Sequence, residues 1–76
     1  MPRLPRVSGP QTSAALRRLG FRDRHQVGSH LVMVHEDGRR AVVPQHAARK
    51  LRLGTLHRIL REASVSREEF AKALCP

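Results

Sequence analysis

Three of the chain's five histidines, His25, His30 and His35, fall in the run HQVGSHLVMVHEDGRR (25–40), which holds two glycine turns and ends in two adjacent arginines. An imidazole has an ordinary pKa near neutrality, so it can take and give a proton at a phosphodiester, bind a metal, or simply fill a polar position. Spacing helps to choose among these. If residues 30–35 form a strand, side chains alternate between its faces. His30, Val32 and Val34 then point one way, and Leu31, Met33 and His35 the other. His30 and His35 cannot share a metal. His25 lies across a Gly28-Ser29 turn from His30 and the two can approach, but no carboxylate or cysteine at matching spacing completes a ligand set, so no metal is expected. Leu31 and Met33 are the better core residues, which leaves His30 on the open face at the rim of a sheet. On spacing alone, a solvated strand histidine is the simpler account of His30, with acid–base chemistry the alternative.

Several other residues could hold an anion. Arg39 and Arg40 flank the Asp37-Gly38 turn and can steer a backbone phosphate. His46 follows Pro44-Gln45 and is either a solvent-exposed loop histidine, a phosphate contact or a group that orients His30. Arg49, Lys50 and Arg52 form a basic run, which is most often a solvated face. His57, next to Arg58 on a helical stretch, is expected on the solvated side without a function.

The elements that must position these residues can be read from local signals. Ser8 followed by Pro10 and Gln11 reads as a capped helix start, with Val7 just outside it, Ala15, Leu16 and Leu19 on one face, and Gly20 as a left-handed stop followed by Phe21. Phe21 to Gln26 reads as a first strand, His30 to His35 as a second and Arg40 to Val43 as a third closed by Pro44. Gly28-Ser29 and Asp37-Gly38 are the turns, the latter of a type that favours positive φ at both central positions. Leu56, Ile59, Leu60 and Ala63 share a helical face. Ser66 to Glu69 is a second capping box, with Val65 and Phe70 placed as a hydrophobic staple. The expected fold is α+β: one helix, a three-stranded antiparallel meander, then two short helices, all helices on one face of the sheet.

Seventy-six residues make one domain with one core, built mainly from Leu, Val, Ile and Ala because Phe21 and Phe70 are the only aromatics. Fifteen Lys and Arg against six Asp and Glu give a formal charge of +9. All but Lys50 and Lys72 of these cations are arginines, whose planar fork suits phosphate. A polyanionic partner is expected: RNA, DNA or an acidic protein. The single cysteine, Cys75, excludes an internal disulfide or a cysteine zinc cluster and fits a reduced, cytoplasmic setting. No apolar run is long enough to span a membrane, and MPRLPRVSGP lacks the apolar stretch of a signal peptide.

These residues together resemble the HicA-type toxins, small mRNA interferases of bacterial type II toxin–antitoxin systems. The resemblance is carried by Leu4-Pro5-Arg6-Val7-Ser8-Gly9, Ala15-Leu16, Leu19-Gly20-Phe21, Gln26-Val27-Gly28-Ser29-His30, His35, Asp37-Gly38-Arg39, Val43-Pro44-Gln45-His46, Gly54-Thr55-Leu56, Ile59-Leu60-Arg61 and Glu69-Phe70. Gly-Ser-His before one strand and Pro-x-His after the next are its specific parts. The resemblance implies a double-stranded-RNA-binding-like fold. It also implies ribosome-independent mRNA cleavage by the histidine of the Gly-Ser-His element, here His30, and neutralisation by an acidic HicB-type antitoxin covering the active face. It tips the reading of His30 from solvated to catalytic, with Ser29, Arg39, Arg40, His46 and Lys50 as the expected RNA contacts and no cofactor. Two departures stand out. Ala63-Ser64-Val65 replaces the family's usual glycine, which predicts a less sharply turned junction, and Ala47-Ala48 follows His46 where small polar or glycine residues are common, which predicts an altered substrate loop.

The expected function is a metal-independent endoribonuclease. Two rivals account for the charge equally well: a non-catalytic RNA-binding module of the same fold, and a protein-interaction domain whose basic face meets an acidic partner.

Overall fold

The computed structural model describes residues 4–46 and 49–74; Ala47, Ala48 and Cys75, singled out above, lie outside them. The order is α1 (Gly9–Arg18), β1 (Phe21–Val27), β2 (His30–His35), β3 (Arg40–Pro44), α2 (Leu53–Ala63) and α3 (Arg67–Leu74). The strands form one antiparallel sheet in the order β1-β2-β3. This is the expected α+β layout.

Both capping boxes form. Ser8 Oγ accepts from Gln11 N at 3.2 Å, and Gln11 Oε1 accepts from Ser8 N at 2.9 Å. Ser66 and Glu69 make the same reciprocal pair at the start of α3. Val65 and Phe70, the staple positions, are both buried. The core lies between the helices and the inner face of the sheet: Phe21, Leu31, Met33, Ala41 and Val43 meet Ala15, Leu16, Leu56, Ile59, Leu60 and Phe70. Full burial of one such large side chain stabilises by about 1.5–3 kcal/mol, so these few residues carry much of a small domain's stability.

One extra residue in β1 decides which side chains reach that core. Val27 pairs with His30 and His25 with Val32, but Asp23 pairs with Met33, so Arg24 is a bulge. Strict alternation from His25 would carry Asp23 and Phe21 to the open face. The bulge reverses the parity beyond it: Phe21 turns inward, where it is 3% exposed, and Arg22 turns outward opposite Val34.

The β2–β3 turn departs from the two-residue expectation. His35 N donates to Arg39 O at 2.8 Å and Gly38 N to His35 O at 2.9 Å, which makes a three-residue loop, Glu36-Asp37-Gly38. Only Gly38 has a positive φ, +99°, the pattern of a turn closed by a left-handed bulge residue. Asp37 stays on the ordinary side because its carboxylate accepts from Arg39 N at 3.1 Å, a local bond that competes with the tighter turn.

The α2–α3 junction is not loosened by its missing glycine. Ser64 itself takes the left-handed conformation, with φ 53° and ψ 45°. Val65 N then reaches Leu60 O at 2.9 Å, closing the helix as a glycine would.

Candidate nucleic-acid interface

The rim of the sheet is built around the β1–β2 turn. Gly28 has φ +60° and Ser29 does not have a positive φ, the pattern of a type II′ turn with glycine first. A Cβ at Gly28 would meet nothing within 4 Å, so the space over the turn is open. The ladder continues past the strands here: His30 pairs with Pro44, and Gln45 N donates to Ser29 O. Pro44 in turn crosses directly over Gly9, and the residues before α1 bond to the segment after β3, through a Ser8–Lys50 bridge and a 2.7 Å bond from Leu51 N to Val7 O. Ser29 and His30 from one stretch of the chain and His46 and Lys50 from another are thus gathered at one end of the molecule. His30, His46 and Lys50 are exposed and Ser29 is half-buried.

His30 lies on the open face, as the alternation of β2 requires. Val27, 63% exposed, is its cross-strand neighbour. His25 is on the same face, one diagonal step away, a separation of about 7–8 Å in a regular ladder. Among the described residues no three His, Cys, Asp or Glu side chains come together as a metal ligand set.

Arg39 and Arg40, grouped in the sequence, are parted by the structure. Arg40 is exposed and pairs with Val34 on the open face. Arg39 turns to the helical side, and its Nε donates to Asp37 Oδ2 at 2.8 Å. Its Nη1 donates to Ala63 O at 2.9 Å and Ser64 O at 3.3 Å. Its guanidinium lies 5.2 Å from the Phe21 ring centre. It is therefore a tie between the hairpin and the end of α2, and its donors are not presented to the open face. His35 is likewise internal: its ring sits edge-on to Phe21 at 5.1 Å, with Nδ1 3.0 Å from Asp37 Oδ1. His57 is half-buried rather than solvated.

The same division runs through the charges. Arg17 holds Asp23 in a two-pronged pair, 2.9 Å at each contact, and that hydrogen bond lowers the Asp23 pKa and raises that of Arg17. Arg18 donates to Ala73 O at 2.7 Å. Asp23 and Asp37 are thus spent on helix-side arginines. Arg22, Arg24 and Arg40 are exposed and, among the described residues, form no ion pair. With Asp23, Val34, His35 and Gly38 they line a groove of about 530 Å³ at the end of the sheet remote from His30. Sequence reasoning missed Arg22 and Arg24, because an unrecognised bulge hides which face Arg22 occupies.

No curated protein matches the chain. The family model for the HicA toxin of bacterial toxin–antitoxin systems matches residues 11–65. That span holds all three strands with Ser29, His30, Arg40, His46 and Lys50. The chain belongs to the HicA family and is the toxin of a toxin–antitoxin system.

Proposed function

We propose that this toxin is a metal-independent endoribonuclease that cleaves mRNA in the cytoplasm, with His30 as the catalytic residue. His30 takes the proton of the RNA 2′-hydroxyl, or gives one to the leaving oxygen. The 2′-oxygen forms a bond to phosphorus, the P–O5′ bond breaks, and the departing oxygen leaves as a hydroxyl once protonated. The products are a 2′,3′-cyclic phosphate and a 5′-hydroxyl end. DNA lacks the nucleophile and is spared.

The observation that carries this reading is the position of His30: an exposed imidazole on the open face, beside an uncrowded Gly28-Ser29 turn, with His46 and Lys50 at the same end of the molecule. Cations there offset charge that builds up at phosphorus. Ser29, Arg40, His46 and Lys50 are the RNA contacts in this reading; Arg39 supports the fold behind them. The antitoxin is an acidic HicB-type protein that covers this face, which a +9 chain favours by charge.

The test is incubation of the purified chain and its His30→Ala variant with end-labelled RNA. Cleavage by the parent and none by the folded variant supports the reading. Equal cleavage by both removes His30 from the chemistry. Binding without cleavage by either would make the protein an RNA-binding module.

A further inference from the structure

The groove bounded by Arg22, Arg24 and Arg40 lies apart from the His30 end. From His30 to Val34 is four residues along β2, about 13 Å at the rise of a strand. Arg22, Val34 and Arg40 sit side by side across the three strands, so the two arginine backbones are two strand spacings apart, about 10 Å, with Val34 as the floor between them. Long side chains from both edges can close on one anionic group lying over that valine. Arg24, the bulge residue, adds a third cation to the lining. The one carboxylate at the groove, Asp23, is held by Arg17.

Three guanidiniums that line one groove, with its carboxylate already paired with Arg17, repel one another. Phosphate oxygens relieve that repulsion and match the guanidinium fork. Between this groove and His30 the open face carries half-buried Val42 and, largely covered by its neighbours, Val32, with His25 beside them. Cations at one end, a low apolar floor and an exposed imidazole at the other suit a sugar–phosphate strand lying along β2.

We infer that the Arg22–Arg24–Arg40 groove is a second phosphate site, which holds the RNA backbone a few nucleotides from the bond that His30 cuts. It rests on the reading of the His30 face as the RNA face. Its effect is to favour longer RNA over fragments too short to reach from His30 to the groove.

The experiment is done in the His30→Ala background, so that binding is read without cleavage. A labelled single-stranded RNA is titrated at several salt concentrations against this protein and against the same protein carrying Arg22→Gln, Arg24→Gln and Arg40→Gln. Loss of the one phosphate held there should lower the slope of log affinity against log salt by about 0.7, the contribution of one phosphate on a single strand. An unchanged slope in the folded variant overturns the proposal. So does unchanged RNA binding accompanied by lost affinity for an acidic antitoxin, which would make the groove a protein contact. If the triple variant does not fold, amide shifts of the His30→Ala protein on RNA addition decide instead. Movement at Arg22, Val34 and Arg40 supports the site, and movement confined to position 30, His46 and Lys50 overturns it. Because no step needs cleavage, failure of the ribonuclease reading is seen separately, as an intact His30 protein that binds RNA through the groove and does not cut it.

Discussion

The carbonyl of Pro44 occupies the place where a side chain on Gly9 would stand: a Cβ built on Gly9 would lie 1.7 Å from Pro44 O and 3.3 Å from Gln45 Cα. The start of α1 is therefore pressed against the segment that leads to His46. Gly9→Ala must push Pro44 and Gln45 off their ladder with His30 and Ser29. We expect a loss of about 1–3 kcal/mol, the usual range for overpacking, and a loss of RNA cleavage in the fraction that remains folded. Gly54→Ala is the control. Gly54 is an exposed α2 residue where a Cβ meets nothing within 4 Å, and alanine there should stabilise by about 0.4–1 kcal/mol. Thermal melts and a cleavage assay on both variants check the contrast.

Arg39→Ala should act on stability and not on RNA. It removes the hydrogen bonds to Ala63 O and Ser64 O, the pair with Asp37 and the stacking over Phe21. Charged hydrogen bonds contribute about 1.5–3 kcal/mol, and exposure of the Asp37 end argues for the lower part of that range. A denaturant titration should show the loss, while the salt slope of RNA binding stays at the parent value. A changed slope with parental stability would return Arg39 to the RNA face.

Ser64→Gly should stabilise. A left-handed residue with a Cβ costs about 1–2 kcal/mol, and glycine returns part of this gain through its more disordered unfolded state. The expected net gain is about 0.5–1 kcal/mol, or a few degrees in Tm for a domain of this size. No rise in Tm would mean that the serine conformation is unstrained.

His30→Ala should abolish growth arrest on expression and leave the fold intact, since an exposed side chain gives up no core contact. Cleavage by the parent should continue in excess EDTA. Activity lost on chelation and restored by zinc or magnesium would sink the metal-free mechanism.

Antitoxin binding should protect the amides around His30 and Arg40 from exchange, and the complex should melt well above the toxin alone by mass action. Protection confined to the helical side, around Ala15 and Leu56, would rule out masking of the proposed site.

Local signals determined much of this protein. Ser8-Pro10-Gln11 and Ser66-Glu69 specify their helix starts through bonds within four residues, and alternation along β2 places Leu31 and Met33 inside and His30 outside wherever the sheet packs on helices. The net charge, which needs no fold, already pointed to an anionic partner. Tertiary structure decided the rest. The parity of β1 turns on one bulged residue, and nothing in Arg22-Asp23-Arg24 marks it; burial of Phe21 and the Arg17–Asp23 pair select that register. Arg39 and Arg40 read alike in sequence, but carbonyls at the end of α2, twenty-four and twenty-five residues away, claim one and leave the other to the open face. Ser64 turns left-handed because Val65 and Phe70 must both be buried, which its own type does not announce. The gathering of Ser29, His30, His46 and Lys50 at one rim follows from strand pairing and from the crossing over Gly9, contacts between segments whose separation along the chain leaves no local trace.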